Sequence, residues 1–591
     1  MLVGGGFLLA EMVMRSAPKY FRWVPWLALG LVPLLVVADQ LLGVVWNRSL
    51  VNVVNALTQS GHLDLAVELK TSGLDVGPVG AWLIVAGVFV LAMLMAGGCW
   101  VVSRRYRARI SMGAAVAVIL VGWLGVVAEQ GIGSVWKLVT SRQEERKAFD
   151  IHLGLFAPPQ GVGRYRVAFY SGVAGYGGDV PELADKPDVF VFMIESLRAD
   201  AIRPEVAPFL SGFRDNECQP FVGTWSGSNA THLSWFSFFH SRIPIFWLEA
   251  LEGIPERESF RGAVPLQYLK RAGYRIEVRA VCDFEYKDFG FSNFGYEKNL
   301  VDVLEQARDG NALDQLAIGE REALTFKRLR ESVAAKAASG GAGGGFYFTA
   351  LDSTHYNYYW HDDFDPPFKD YDEDTRFPLN PSREEVQRVV NRYWNSVAWV
   401  DFQIKEFCGF LKEQGLYDDS IIIVTGDHGE EFQERGGWFH CSSLRPEQTG
   451  VPILVKWSAA MGRGPECRDA SHADVMPTLM HALGMPQETT RGLAGRNLLA
   501  GGGDFTAVSA TAYPGHSGET MVLRRGGYEA AFSWEQYWKS EVPAEMVLEY
   551  IRAPDGKKIK RKDAAAYADE LRSRFPDAFE RFIKSLEVIG G

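Results

Sequence analysis

The sequence is poor in cysteine and contains no concentrated block of basic residues. Six cysteines occur in 591 residues and none forms a Cys-x-x-Cys pair, which argues against a disulfide scaffold and against a structural zinc ribbon. The formal net charge is −11, and an acidic balance without a basic patch argues against a nucleic-acid-binding protein. Hydrophobic residues make up 47% and charged residues 23% of the chain, which are the proportions of a folded protein.

Long apolar runs are confined to the first 128 residues. Val24–Trp46 and Gly80–Val102 contain 23 residues each, and Ile110–Ala128 contains 19. A helix needs roughly 20 residues to cross the hydrocarbon core of a membrane. Leu2–Met14 is shorter and carries one acidic residue, so it is either a fourth span or the apolar part of a signal peptide. The sequence therefore predicts a transmembrane region of three or four helices over residues 1–128.

The distribution of basic residues predicts the orientation of these spans. Three basic residues lie between Leu2–Met14 and Val24–Trp46, and Ser103–Arg109 holds four arginines in seven residues. Loop 47–79 has only one arginine and one lysine, offset by three acidic residues. Short cationic loops stay in the cytoplasm. We therefore expect loop 47–79 and everything after Ala128 to lie on the outer side of the membrane.

The region after the apolar runs alternates between buried strands and amphipathic helices. Val189–Ile194, Phe346–Leu351 and Ile421–Thr425 are unbroken apolar runs, typical of strands that are buried on both faces. Ser382-Arg383-Glu384-Glu385 is a capping box that opens a long helix. This alternation predicts a doubly wound, mostly parallel sheet with helices on both faces. Further strands are predicted at Tyr274–Val281 and Val451–Trp457.

Composition suggests three segments in the soluble part. Residues 129–186 contain a charged stretch and then glycine-rich sequence, which indicates a connector. Residues 187–500 hold the alternating pattern and form the predicted catalytic domain. Residues 501–591 are expected to complete that domain with short strands and a terminal helix over Asp563–Leu586.

Polar residues follow three of the predicted strands, where ligands bind in sheets of this kind. Glu195 follows the first, Asp352-Ser353-Thr354-His355 the second, and Asp427-His428 the third. A carboxylate directly after an apolar strand costs free energy unless it is paired or binds a cation. Together these carboxylate and imidazole groups predict a divalent metal site, and such mixed ligands suit Zn²⁺ or Mn²⁺ better than Ca²⁺. The alternatives are that Asp427 and His428 cap a helix and that Glu195 pairs with Arg198.

A polar-to-apolar switch between Phe221 and His240 predicts a loop that enters a helix near Thr231. A hydroxyl at a helix start lies at the positive end of the helix dipole, which favours an incoming anion. A Ser or Thr hydroxyl bound to a metal becomes a usable nucleophile. The alternative is that Ser228 or Thr231 is only a helix cap. His440 lies twelve residues after His428 and is a further candidate for the site.

The order of these motifs resembles the sulfatase-like branch of the alkaline phosphatase superfamily. Within that branch the chain is similar to the membrane-anchored lipid headgroup transferases, namely phosphoethanolamine transferases, lipoteichoic acid synthases and related phosphoglycerol transferases. The resemblance covers about residues 187–485. It implies that Glu195, Thr231, Asp427 and His428 hold the catalytic Zn²⁺ or Mn²⁺ and that Thr231 is also the nucleophile. It further implies that two residues, His355 and His440, bind the phosphate or assist proton transfer.

The resemblance also implies an activity and a place in the cell. The expected reaction transfers phosphoethanolamine or phosphoglycerol from a phospholipid donor to an envelope glycan or lipid acceptor. The expected location is the bacterial plasma membrane, with the catalytic domain outside the cytoplasm. The Cys/Ser-x-Pro-x-Arg segment that sulfatases mature to formylglycine does not occur near Thr231, which argues against formylglycine chemistry. Also absent is the cysteine pattern that flanks the nucleophile in many phosphoethanolamine transferases, so the headgroup stays open.

Two alternative functions remain compatible with the sequence. One is a hydrolase of the same superfamily, either a phosphodiesterase or a sulfuric ester hydrolase, in which water replaces the acceptor. The other is a catalytically silent membrane regulator of envelope lipid.

Overall fold

The computed structural model describes Val90 and residues 161–590, with gaps at 171–179, 181–182, 184, 248–249, 251–261, 285–288, 296–299, 309, 340–343, 374–380, 502, 512–519 and 535–542. In this described part, no helix combines the length and the apolar character needed to cross a membrane. Apart from Val90, the spans predicted within residues 1–128 lie outside the described residues, and so does most of the predicted connector.

The chain separates into two compact units. The larger contains Gly161–Thr375, Ser382–Arg435 and Phe439–Gly591, and the smaller contains Met1–Gln160, Arg376–Pro381 and Gly436–Trp438. Nearly all described residues belong to the larger unit, and apart from Trp438 the strands, helices and site below consist of residues of that unit.

The strands are numbered in chain order over the described residues. They are β1 (Gly163–Phe169), β2 (Val189–Ile194), β3 (Phe221–Trp225), β4 (Arg275–Ala280), β5 (Val303–Gln306), β6 (Gly345–Leu351), β7 (Ile421–Gly426), β8 (Glu431–Phe432), β9 (Trp438–Phe439), β10 (Ile453–Lys456), β11 (Cys467–Ser471), β12 (Gly503–Asp504), β13 (Ala507–Ala510), β14 (Met521–Arg525), β15 (Tyr528–Trp534), β16 (Ala544–Arg552) and β17 (Ile583–Gly590).

The helices are numbered in the same way. They are α1 (Pro208–Asn216), α2 (Thr231–His240), α3 (Val264–Arg271), α4 (Phe289–Phe294), α5 (Ile318–Ala338), α6 (Arg383–Glu413), α7 (Pro446–Thr449), α8 (His472–Ala482), α9 (Ala564–Arg574) and α10 (Pro576–Arg581). The predicted capping box is present at the start of α6, where the Ser382 hydroxyl accepts a hydrogen bond from the Glu385 amide at 3.2 Å.

The central sheet has six strands in the order β10-β7-β2-β6-β4-β5. Strands β7, β2, β6, β4 and β5 run parallel, whereas β10 is antiparallel to β7. Ile194, the last residue of β2, is in register with Leu351 of β6 and Gly426 of β7. The predicted α/β sheet is therefore confirmed, and its three central strands end side by side.

Alternate residues of β2 face two helical layers, because successive side chains of a strand point to opposite faces. Val191 and Met193 belong to a core with residues of α2, α3 and α8. Phe192 packs on the other face, with ring centroids 5.6 Å from Phe326 of α5 and 5.5 Å from Phe407 of α6. Both faces of the sheet are thus covered by helices, which explains why the strand is an unbroken apolar run.

A second six-stranded sheet has the order β13-β14-β15-β16-β1-β17. Helix α2 lies between the two sheets, because Trp235 and Phe238 pack in the core of the central sheet, whereas Leu233 and Phe236 pack in the core of the second. Every residue of α2 after Thr231 is buried. A helix that is apolar on all sides must be enclosed, and enclosure fixes the position of its first residue.

Two local expectations are corrected. Residues 163–169, predicted to belong to a connector, form the inner strand β1 of the second sheet. The terminal helix predicted over Asp563–Leu586 stops at Arg574, and after the short helix that begins at Pro576 the chain continues as strand β17. Proline lacks the amide hydrogen that would continue the first helix and fits the first turn of the next one.

Candidate active site

Three parallel strands bring the predicted polar residues to one edge of the central sheet. Glu195 follows β2, His355 lies four residues after β6, and Asp427 follows β7 directly. The Glu195 amide donates to the Leu351 carbonyl at 2.9 Å, and the Asp427 amide donates to the Ile194 carbonyl at 3.1 Å. The sheet ladder therefore continues into the site and fixes the backbone that carries these side chains.

Thr231 is the first residue of α2 and reaches two of these groups. Its Oγ1 atom lies 3.2 Å from Glu195 Oε2 and 3.3 Å from His428 Nε2. The helix cap is Ala230, and no side chain caps this helix end. The alternative in which Ser228 or Thr231 serves as the cap is therefore not what the structure shows. The hydroxyl lies instead at the positive end of the helix, beside a carboxylate and an imidazole.

Asp427 uses one carboxylate oxygen for hydrogen bonds to the backbone, whereas the other takes no part in them. Its Oδ1 atom accepts hydrogen bonds from the Ser196 amide at 2.9 Å and the His428 amide at 2.7 Å. Its Oδ2 atom is buried without a hydrogen-bond partner among the described residues, and it lies 3.6 Å from His428 Nε2. A buried carboxylate oxygen without a partner costs free energy, and a bound cation would offset that cost.

His428 presents a defined nitrogen to the site. Its Nδ1 atom donates to the Gly429 carbonyl at 3.0 Å, so the neutral ring carries its proton on Nδ1 and has a lone pair on Nε2. That Nε2 atom lies 3.2 Å from Glu195 Oε1. An imidazole with one nitrogen anchored to a carbonyl is typical of a metal ligand.

A second pair of histidines adjoins this group. The His440 ring centroid lies 4.1 Å from that of His428 and 5.9 Å from that of His355. His440 Nδ1 lies 2.9 Å from Oε2 of Glu430, whose side chain is fully buried. The structure therefore brings all six predicted site residues into one cluster: Glu195, Thr231, His355, Asp427, His428 and His440.

The electrostatics of the cluster reflect crowded carboxylates. Burial would raise the pKa of Glu195, but the neighbouring His428 reverses this effect and holds the pKa well below its usual range. Burial and the charge of Glu195 together raise the pKa of Asp427 well above its usual range, and they do the same to Asp352. Burial would lower the pKa of His428, but the Asp427 carboxylate outweighs it and raises this pKa to about 9. A cation among these groups would relieve their repulsion.

The donor set fits a divalent metal. One ligand atom each from Glu195, His428 and His440 lie within 4.8 Å of one another, and the unpartnered Asp427 Oδ2 atom belongs to the same cluster. Carboxylate oxygens, imidazole nitrogen and a hydroxyl are ligands that Zn²⁺ and Mn²⁺ accept. The identity of the metal stays a prediction.

Backbone strain is concentrated around the cluster. Eight described non-glycine residues have positive φ angles, and five of them are near the site: Ser196, Asn357, Tyr358, Phe439 and Cys441, with φ angles of 54°, 79°, 47°, 70° and 66°. Each position adjoins or lies within three residues of a predicted site residue. Such conformations cost free energy and persist only where surrounding contacts enforce them, as at functional sites.

Two residues near the strand ends support the site rather than line it. Arg198 donates to Asp200 at 2.9 Å, to Glu434 at 2.5 Å and to the Glu430 carbonyl at 2.9 Å, so its described partners do not include Glu195, contrary to the pairing considered from sequence. His472 donates from Nε2 to the Gly426 carbonyl at 2.9 Å and accepts at Nδ1 from the Gly227 amide at 3.4 Å. Burial lowers the pKa of His472 to about 3, which suits a neutral structural link.

Sequence reasoning missed Glu430 and Glu322, both fully buried carboxylates that contact site loops. Glu430 stands two residues after His428, and that position could have drawn attention to it. Glu322 lies within a long amphipathic helix, where an acidic residue ordinarily faces solvent. The sequence around it therefore gives no indication that this carboxylate is buried near the site. The five cysteines in the described part of the chain form no disulfide with one another.

Comparison with known proteins identifies the class to which this α/β fold and site belong. The family model for sulfatases matches residues 187–485, about half of the chain. The chain therefore belongs to the sulfatase family, whose members include hydrolases and transferases.

Individual relatives are distant. A choline-sulfatase of Rhizobium meliloti (strain 1021) is 27% identical over 110 residues, which are 19% of this chain and 21% of the relative. Lipoteichoic acid synthase 2 of Bacillus subtilis (strain 168) is 30% identical over 127 residues, which are 20% of this chain and 19% of the relative. The matched part thus spans about a fifth of the length of these curated relatives. Among solved structures, the chain is similar to the phosphonate monoester hydrolase of Silicibacter pomeroyi, with 17% sequence identity and a TM-score of 0.49. The superposition covers 67% of this chain and 96% of the hydrolase.

Proposed function

We propose that this protein is a membrane-anchored, metal-dependent enzyme of the sulfatase family that transfers a phospho-headgroup. The donor is a phospholipid carrying phosphoethanolamine or phosphoglycerol, and the acceptor is an envelope glycan or lipid. The headgroup passes through a covalent intermediate on Thr231. The observation that carries this proposal is the position of the Thr231 hydroxyl, 3.2 Å from Glu195 and 3.3 Å from His428 at the start of an enclosed helix.

The nature of the nucleophile supports phosphoryl transfer over sulfatase chemistry. The residue at the helix start is threonine, and the Cys/Ser-x-Pro-x-Arg segment needed for formylglycine is absent around it. A threonine hydroxyl forms a stable ester with a phosphoryl group, and such a covalent step divides one difficult displacement into two easier ones.

The metal would be held by Glu195, Thr231, Asp427 and His428. When bound, it would compensate the charge that develops on the phosphoryl oxygens and lower the pKa of a coordinated hydroxyl. The remaining roles belong to side chains of the chain itself.

Two half-reactions follow from this arrangement. First, the Thr231 oxygen bonds to phosphorus as the bond to the diacylglycerol oxygen breaks. Thr231 is partly exposed, so its proton passes to water, while the departing oxygen takes a proton from His440 Nε2. Next, the acceptor oxygen bonds to phosphorus and gives its proton to His440, and the Thr231 oxygen leaves and is reprotonated. His355 binds a phosphoryl oxygen in both steps and orients the substrate.

The apolar runs within residues 1–128 supply the membrane part of the proposal. Three of them have the length of a membrane-spanning helix, and the distribution of basic residues in the loops supports a catalytic domain outside the cytoplasm. Anchoring the site at the membrane raises the effective concentration of its lipid donor.

Intact mass of the full-length protein tests the proposal. After brief exposure to phosphatidylethanolamine or phosphatidylglycerol vesicles, the native protein is expected to gain the mass of one phospho-headgroup, and Thr231→Ala is not. Thr490→Ala is the matched control, because the described side-chain hydrogen bond of that threonine stays within its local turn, where it donates to the Gln487 carbonyl at 3.0 Å. It is expected to behave as the native protein does.

Product analysis with labelled lipid separates this proposal from its rivals. Transfer of label to an added glycan or lipid acceptor supports it. Release of free headgroup without any transfer would indicate a hydrolase of the same superfamily. Neither product, together with no bound metal by elemental analysis, would indicate a catalytically silent regulator.

A further inference from the structure

A fully buried carboxylate outside the reaction centre organises the loop that carries His355. Glu322 lies on α5 with its side chain 0% exposed. Its Oε1 atom accepts from the Asp352 amide at 2.9 Å and the Ser353 amide at 2.8 Å. Its Oε2 atom accepts from the Ser353 hydroxyl at 2.6 Å and from Trp399 Nε1 at 2.8 Å. All four donors point at one carboxylate, and a carboxylate can only accept when ionised.

The loop held in this way joins the two strand ends of the site. The Thr354 hydroxyl donates to the carbonyl of Glu195, the residue that follows β2. The His355 amide donates to the Asp352 carbonyl at 3.0 Å, and the Tyr359 amide donates to the Ser353 carbonyl at 2.8 Å. The backbone on both sides of His355 is thus tied to residues that Glu322 holds.

We propose that Glu322 is a positioning residue that sets His355 against His440 at the phosphoryl-binding end of the site. It acts through the loop after β6, because its described hydrogen bonds go to Asp352, Ser353 and Trp399. This inference rests on the proposed function, because it assigns His355 the role of phosphoryl ligand given there. Groups that hold such a ligand typically change activity or affinity by about 10–100-fold when replaced.

Replacement by glutamine is informative because the amide has the wrong hydrogen-bonding character. Its NH₂ group must face either the two backbone amides or the pair formed by the Ser353 hydroxyl and Trp399 Nε1. The hydroxyl can rotate to accept a hydrogen bond, but the indole nitrogen and the backbone amides can only donate. At least one donor therefore meets another donor, and the loop must shift.

The experiment is a double-mutant cycle between Glu322→Gln and His355→Ala in the full-length protein, with two readouts. One is turnover of bis(p-nitrophenyl) phosphate, and the other is the Kd for inorganic phosphate. We expect Glu322→Gln to lower kcat and weaken phosphate binding by about 10–100-fold. In the His355→Ala background it should add less than about twofold, because residues that act as one unit are not additive.

A matched control separates positioning from loss of stability. Asp401 on α6 is also a buried carboxylate, and it accepts from the Phe209 amide at 3.1 Å and the Leu210 amide at 2.7 Å. The segment it holds carries none of the six predicted site residues. Asp401→Asn should therefore lower the Tm as Glu322→Gln does, while kcat and phosphate affinity stay within about twofold.

Several outcomes would overturn the inference. An undiminished effect of Glu322→Gln in the His355→Ala background would do so, and so would an equal loss of kcat in Asp401→Asn. If Glu322→Gln does not fold, Ser353→Ala removes one of the four hydrogen bonds and is expected to give a several-fold effect in the same direction that also vanishes without His355. Persistence of that effect would refute the positioning role.

The two proposals fail in different ways. If the native protein binds phosphate but transfers no headgroup, the proposed function is wrong. The role of Glu322 can then still be tested through the Kd for inorganic phosphate. A native protein without turnover and without phosphate binding overturns both.

Discussion

The buried carboxylate of Glu430 lies 2.9 Å from Nδ1 of His440. Tyr358 donates to the other oxygen of the same carboxylate at 3.4 Å. Because an ionised carboxylate only accepts, the Nδ1 atom of His440 must donate, and we expect Nε2 to be the nitrogen that contacts the substrate. The pair fixes both the tautomer and the rotation of the ring, as carboxylate–histidine pairs do at metal and acid–base sites.

Glu430→Gln is expected to lower kcat by about 10–100-fold, because the amide can hold the ring in two ways and no longer stabilises a charged imidazole. Activity on a nitrophenyl diester should fall less than activity on a lipid donor, since nitrophenolate leaves without a proton. Steady-state kinetics on both substrates measure this. Glu331→Gln, which alters a surface ion pair with Lys327 at 4.0 Å, should stay within about twofold, and an equal loss on both substrates would contradict the orienting role.

The unpartnered oxygen of Asp427 predicts a stability effect of the metal that is separate from activity. Chelation of the native protein should lower its Tm by a few degrees, and Zn²⁺ or Mn²⁺ should restore it, because a ligand at 100 times its Kd contributes about 2.7 kcal/mol. Asp427→Asn should abolish the gain from metal. Without metal the variant should be no less stable than the native protein, because it removes one of the crowded charges.

Thermal unfolding with and without chelator, together with metal analysis, tests this prediction. Ser332→Ala is a useful comparison, since that hydroxyl contacts the buried Glu277 at 2.8 Å and no predicted metal ligand. Its response to metal should match that of the native protein. A metal-dependent rise in Tm that survives in Asp427→Asn would place the metal elsewhere.

His240 predicts a loss of stability in mild acid. Burial lowers its pKa from 6.5 to about 3, although its Nε2 atom donates to the Ser292 carbonyl at 2.7 Å. The unfolded chain therefore binds a proton that the folded chain does not between about pH 6.5 and pH 3. The neutral, buried His240 therefore favours the folded state fully above pH 6.5. As the pH falls, the free energy of unfolding decreases, and this loss reaches about 2 kcal/mol at pH 5.

His240→Gln retains a donor and cannot titrate, so denaturant unfolding between pH 7 and pH 5 should show a shallower loss of stability than in the native protein. His481→Gln, at an exposed position on α8, should leave the pH dependence unchanged. Parallel pH profiles for the native protein and His240→Gln would show that His240 does not contribute.

A side chain at Gly426 is expected to disrupt the site by steric overlap. A Cβ atom at this position would lie 2.3 Å from the Leu197 carbonyl oxygen, which is closer than atoms can approach. Gly426→Ala must therefore displace either the Leu197 backbone or Asp427, and we expect loss of metal and at least a tenfold loss of activity, since misplacement of a reacting group by 1 Å can cost about 100-fold.

Gly409→Ala is the matched control. It lies within α6, where a Cβ atom would meet nothing within 4 Å. Alanine favours the helix by about 1 kcal/mol over glycine, so this variant should raise the Tm slightly and keep full activity. Metal content and activity of Gly426→Ala equal to those of Gly409→Ala would show that the backbone adapts without moving Asp427.

The central sheet could be predicted from sequence because its strands are buried on both faces. Val189–Ile194 and Ile421–Thr425 are apolar throughout, and that property needs no partner to be recognised. The antiparallel direction of β10 was not predictable, because an apolar run does not indicate the direction in which its strand lies in the sheet. Strand β1 was missed because it lies close to glycine-rich sequence, which was read as a connector, and because its neighbours lie about 400 residues further along the chain.

The candidate site could be predicted in part because parallel strands end at a common edge. That topology alone brings Glu195, His355 and Asp427 together. The groups that hold them were harder to foresee, because Glu322 resembles an ordinary acidic residue of a helix surface. Its burial depends on how α5 packs against α6, which local sequence does not encode.

The position of β1 between β16 and β17 has a consequence for biosynthesis. Its residues pair with Ala544–Leu548 on one side and with Ile583–Gly590 on the other. During translation this segment must wait for almost 400 further residues before either neighbour leaves the ribosome. The strands of the central sheet, which end with β10, can pair earlier, so the second sheet closes last. An early nick or stop within the final strand would leave one side of β1 unsatisfied.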